Sequence, residues 1–135
     1  MTSTLPNSLL SSKNLLICGA LLGFVSVCIG AFAAHGLKHI MNHQALLWID
    51  TGVKYQMLHG GMVVILAFAL KQWPNWQVLR WSALSFLLGI LLFSGSLYIM
   101  AATGIKALGM ITPIGGLFML IGWLCLLVGA IKQPD

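Results

Sequence analysis

The sequence predicts an all-α integral membrane protein, an up-down four-transmembrane-helix bundle with a short interfacial amphipathic helix between spans one and two. Composition is the first ground. Of 135 residues, 59% are apolar and only 7% charged, whereas a soluble domain is about a quarter charged. A soluble globular class is thereby excluded, and the chain is not polar, repetitive or Cys-dense enough for a disordered, fibrous or disulfide-stapled one. The second ground is how the charges fall. Seven Lys or Arg and two Asp leave charge-free stretches at 14–37, 55–70, 81–105 and 107–131. The third is length, because a spanning helix needs about 20 apolar residues to cross roughly 30 Å of hydrocarbon. Three stretches meet that length, and the second reaches it when extended through Lys54, whose ammonium can snorkel to the headgroups.

Residues 1–12 are rich in Ser and Thr with one Pro, and are expected to fray. Span one is placed near 14–35. Lys13, the apolar run and Ala31-Phe32-Ala33 imitate a signal peptide with its cleavage site. The run from Leu15 to Ala34 outlasts the usual 7–15-residue apolar region of such a leader, so a retained span is expected. Near 42–52, Asn42 is a suitable N-cap, and Ala45, Trp48, Ile49 and Val53 follow at helical spacing. Asp50 and Lys54 form an i,i+4 pair in the favourable order. This segment reads as an amphipathic helix lying in the interface and leading into span two, near 53–71. Trp73-Pro74-Asn75-Trp76 is a tight turn flanked by interfacial aromatics. Spans three and four follow near 79–101 and 108–131, completing one membrane domain over residues 1–135.

Four spans put Lys13, Lys71, Arg80 and Lys132 on one side and Lys38, Lys54 and Lys106 on the other. The excess of positive charge places both termini in the cytoplasm. Apolar surface gives helices no reason to associate in lipid, so close backbone approach must hold them. Gly115, Gly122 and Gly129 recur every seven residues on span four. Gly19, Gly23, Ser26 and Gly30 line one face of span one, and Ser82, Ser85, Gly89 and Ser96 serve span three. Cys18 and Cys28, ten residues apart on one helix, are about 15 Å apart by rise and cannot bridge each other.

The uncharged polar residues gather at one end of the bundle. Span one closes with His35, span two opens with Tyr55, Gln56 and His59, span three closes with Ser94, Ser96 and Tyr98, and span four opens with Thr112. In an up-down bundle all eight face the non-cytoplasmic side, and polar groups within spans are functional-site hypotheses by default. One reading is a shallow binding site; the other is an interhelical hydrogen-bond network that locks the bundle.

Other chemistries find less support. His35, His39 and His43 have i,i+4 spacing, but Gly36 and Asn42 should break the helix between them, and no metal is expected. His35 and His59 as axial haem ligands lack any attachment motif, so no cofactor is expected. No acid lies inside a span for a proton relay. There is no nucleophile motif, paired carboxylate or phosphate loop, which argues against an enzyme. The +5 charge forms no basic patch for nucleic acid.

Gly30-Ala31-Phe32-Ala33-Ala34-His35-Gly36-Leu37 resembles the G-A-F-x-A-H-G-L hallmark of the YgdD-type small inner-membrane proteins, a family of unknown function with eukaryotic membrane relatives. Tyr55-Gln56-Met57-Leu58-His59 is similar to its Y-Q-x-x-H element. Phe93-Ser94-Gly95-Ser96-Leu97-Tyr98 and Thr112-Pro113-Ile114-Gly115-Gly116 are similar to its F-S-G-S-L-Y and T-P-x-G-G elements, and Gly122-Trp123 to a G-W pair. The resemblance runs in family order from residue 30 to 123. It implies a multi-pass bacterial inner-membrane protein and implies no activity.

The expected role is a non-enzymatic structural or interaction component, with the lipid bilayer and either another membrane protein or a second copy as partners. The alternative is a small cofactor- or solute-binding membrane protein using His35 and His59.

Overall fold

The computed structural model describes residues 8–132. They include four long helices: α1 Ser12–His35, α2 His43–Gln72, α3 Gln77–Thr103 and α4 Thr112–Lys132. Short 3-10 turns, Leu37–His39 and Lys106–Met110, join the first pair and the last pair. All four are long and apolar enough to cross a membrane. The chain is a multi-pass membrane protein.

Local chemistry sets the ends. Ser11 Oγ accepts from the Asn14 N–H at 3.3 Å to start α1, and Asn42 Oδ1 accepts from the Ala45 N–H at 2.8 Å to start α2. Gly104, at φ +73°, closes α3 in the left-handed conformation that a side chain would disfavour. Pro113 sits in the first turn of α4, where its missing N–H costs nothing. Residues 8–12 are tied down rather than frayed: Asn14 Nδ2 donates to the Ser8 and Leu9 carbonyls, each at 3.2 Å, and Ser12 Oγ to the Ala67 carbonyl at 2.7 Å. Residues 1–7, the rest of the stretch expected to fray, lie outside the described residues.

The main departure from expectation is in α2. Residues 42–52 are not a separate interfacial helix but the cap and first turns of one 30-residue helix. The Asp50–Lys54 pair, 2.6 Å apart, spans the expected junction instead of flanking it. Gly52 does not interrupt the helix, which also runs unbroken through Gly60 and Gly61 and contains no proline. At 1.5 Å per residue α2 is about 45 Å long, well beyond a hydrocarbon core of roughly 30 Å. Span four differs in a smaller way: residues 108–110 belong to the 3-10 turn, Ile111 follows it, and the helix begins at Thr112.

Helices pack in chain order, α1 on α2, α2 on α3 and α3 on α4, with no extensive contact between α1 and α4. The outer helices are consequently much less buried than the central pair. Glycine governs the close approaches. A Cβ on Gly19 would lie 3.0 Å from the Gly60 carbonyl oxygen. One on Gly115 would collide with the backbone of α3 at Phe93, and one on Gly122 would lie 2.6 Å from the Phe86 ring. Small residues thus let these backbones meet in lipid. The larger apolar core, with Leu15, Val63, Leu66, Leu70, Leu79 and Phe86, lies toward the 73–76 turn. A smaller one of Ala45, Ile49 and Ala101 lies toward the opposite end.

Candidate functional site

Between these two apolar layers sit most of the buried polar side chains; Ser82 lies instead within the larger one, where its Oγ donates to the Gly122 carbonyl at 2.8 Å. Gln56 is only 3% exposed. Its Nε2 donates to the Leu22 carbonyl of α1 at 2.9 Å, and its Oε1 accepts from the Tyr98 hydroxyl of α3 at 2.9 Å. One amide therefore ties three helices. Ser26 Oγ donates to the same Leu22 carbonyl at 2.8 Å, using its second lone pair. Beside them, Ser94 Oγ donates to the Gly52 carbonyl at 2.7 Å. The Tyr98 ring lies against Gly52, where a Cβ would come within 2.7 Å of it.

His59, one turn along α2, is equally buried and faces α3 and α4. Trp123 Nε1–H donates to His59 Nε2 at 3.1 Å. An indole nitrogen is donor-only, so His59 Nε2 is the acceptor and the ring hydrogen belongs on Nδ1. Nδ1 then donates to the Tyr55 carbonyl at 2.8 Å. Phe86 packs at 5.2 Å from the imidazole and 5.3 Å from the Trp123 ring, between centroids. Phe93 forms the floor of a groove between α2 and α4, with its ring 4.4 Å from that of Tyr55. The groove encloses about 540 Å³, and Leu117, Leu120 and Trp123 make its α4 wall.

A third tie joins α3 to the start of α4. Ser96 Oγ donates to the Phe93 carbonyl at 2.9 Å and lies 2.7 Å from Thr112 Oγ1. A hydroxyl carries one hydrogen, so Thr112 must donate to Ser96.

Of the eight residues singled out in the sequence, six make side-chain hydrogen bonds here: Gln56, His59, Ser94, Ser96, Tyr98 and Thr112. They form separate ties rather than one pocket. His35, the last residue of α1, is exposed and takes no part. Tyr55 contributes its carbonyl and ring, and its side chain is 43% exposed on the groove. His35, His39 and His43 do not share a helix face, because α1 ends at Gly36 and α2 restarts at Asn42. Among the described residues no group of three or more His, Cys, Asp or Glu converges. Nor is the polar layer shallow, since Ala45, Ile49 and Ala101 cover it toward that end.

Sequence reasoning did not pair Trp123 with His59, nor see the carbonyls of Leu22 and Gly52 as acceptors. A carbonyl has no residue signature. Trp123 had one, because a tryptophan within a span, away from the interfacial belt, needs a partner for its N–H.

The family described as "Protein of unknown function (DUF423)" matches residues 29–116. A UPF0382 membrane protein of Haemophilus influenzae is 51% identical over 116 residues, covering 86% of this chain and 92% of that protein. The UPF0382 inner membrane protein YgdD of Escherichia coli K12 is 40% identical over 124 residues, covering 91% and 93%. A UPF0382 membrane protein of Staphylococcus haemolyticus is 41% identical over 121 residues, covering 89% and 97%. No solved structure matches.

Proposed function

This chain belongs to the DUF423 family of proteins of unknown function, and on that premise we propose that it is a non-enzymatic structural or interaction component of the bacterial inner membrane. Its intramembrane polar residues serve as ties that fix the order of the helices. Both termini lie in the cytoplasm, and the polar layer belongs to the non-cytoplasmic half. The unclosed flank between α2 and α4 is the surface it offers to another membrane component.

One observation carries this reading. Gln56, Ser94, Ser96 and Thr112 spend their hydrogen bonds on the protein itself, and both nitrogens of His59 are occupied. With Nδ1–H donating and Nε2 accepting, His59 has no free ring nitrogen with which to take up a proton or hold a metal. A groove of about 540 Å³ beside His59 and Tyr55 favours the second reading, a small cofactor- or solute-binding protein. In that reading a ligand would have to displace Trp123 from His59.

Gentle extraction from native membranes, followed by an absorbance spectrum and mass spectrometry of the purified protein, separates the two. The tie reading expects a colourless protein whose unfolding midpoint falls in Gln56→Ala. A Soret band, or a stoichiometric small molecule lost in His59→Ala, would overturn it in favour of the second.

A further inference from the structure

A larger cavity, about 670 Å³, opens at the other end of the molecule, where α2 ends, α3 begins and α4 ends. Trp73 and Trp76 form one side of it, edge to face with centroids 6.0 Å apart. Gln72, Asn75 and Lys132 supply polar groups, and Val78 and Val128 form an apolar wall leading into the bundle. All four helices have an end at this level, and paired tryptophans are the mark of the headgroup region.

Charge selects the occupant. Lys71 lies in the last turn of α2, Arg80 in the first turn of α3 and Lys132 at the last position of α4. Arg80 Nη1 donates to the Pro74 carbonyl at 2.8 Å, which holds the guanidinium over the turn. Its Nε is buried without a partner. The first turn of α3 carries no acid, and the one acid among the described residues, Asp50, pairs with Lys54 on α2's opposite half. Asp135 lies outside the described residues.

We infer that this cavity binds one anionic phospholipid, with its phosphodiester against Lys132 and its acyl chains along Val78 and Val128, at an end of the bundle where Lys71 and Arg80 add positive charge. The tryptophans grip the glycerol region, where one edge is apolar and the other wet. Basic pockets between spanning helices are known to hold such headgroups. The fit requires both halves of the ligand: a phosphate alone would leave the apolar wall uncovered, and a zwitterionic lipid would bring a cation of its own toward Lys132.

The test is native mass spectrometry of the full chain released from detergent, titrated with phosphatidylglycerol, phosphatidylcholine or inorganic phosphate. One phosphatidylglycerol should bind in preference to phosphatidylcholine. Lys132→Gln should weaken it about fivefold, the equivalent of the ~1 kcal/mol a basic residue contributes near an anionic surface. Lys106→Gln, which removes the same charge from an exposed site at the opposite end, should leave binding unchanged. Equal binding of the two lipids, or equal loss in the two variants, would overturn the site. Inorganic phosphate binding as tightly as phosphatidylglycerol would overturn the lipid as its occupant.

Discussion

Gln56 and His59 lie three residues apart on α2, equally buried, yet the junctions they occupy are built in opposite ways. At Gln56, α1 comes so close that a side-chain amide reaches its backbone carbonyl directly. Bare Gly19 and Gly60 permit that approach, and the junction of α1, α2 and α3 is closed. At His59, α4 stands off across a groove of about 540 Å³, and only a long indole bridges the gap. Both junctions satisfy their polar groups, but only the first excludes everything else. In lipid, where burial of apolar surface does not draw helices together, the size of the side chain at the crossing decides whether a junction closes.

The largest expected effect comes from spoiling the close approach that supports the open junction. Gly115→Ala would drive a methyl group into the α3 backbone at Phe93, which cannot rotate away. It should cost about 1–3 kcal/mol, the usual range for overpacking, measured by reversible unfolding in mixed micelles. An unchanged unfolding curve would mean that α3 and α4 do not touch there.

Next in size is the closed junction's own tie. Gln56→Leu removes the acceptor of a half-buried tyrosine hydroxyl and the bond to Leu22, and should cost less than Gly115→Ala, toward the lower end of about 1–3 kcal/mol. Trp123→Phe at the open junction should cost less, near the ~0.6 kcal/mol average for hydrogen bonds between membrane helices. A reversed order would remove the distinction between the two junctions. Smallest of all is Gly23→Ala, where an added Cβ meets nothing within 4 Å. Its unfolding free energy should stay within about 0.5 kcal/mol of the parent, as for substitutions that touch no special feature.

The span count and most helix ends were legible because charges, caps and glycines are local signals. Asn42 caps α2 and the Gly115, Gly122 and Gly129 stripe packs on α3, as their spacing predicts. The continuity of α2 was not legible. Asp50 and Lys54 read as the junction between an interfacial helix and span two, and only the structure joins both sides in one 30-residue helix. That length is also why the polar residues lie between two apolar layers and not at a membrane face. The polar side chains were visible as residue types, but their pairing depends on the rotation of each helix about its axis. Tyr98 turns toward Gln56 while Ser96, two residues earlier, turns toward Thr112. No spacing rule within one helix supplies the identity of the helix it faces.

The claim that these residues are ties of unequal strength is most directly tested by a pair of double-mutant cycles in bilayer-like micelles. One joins Gln56→Leu with Tyr98→Phe, the other His59→Leu with Trp123→Phe. A coupling of about 0.6–1.7 kcal/mol is expected for the first pair, within the measured range for membrane helices, and a smaller one for the second. Zero coupling between Gln56 and Tyr98, or a larger value between His59 and Trp123, would contradict the account.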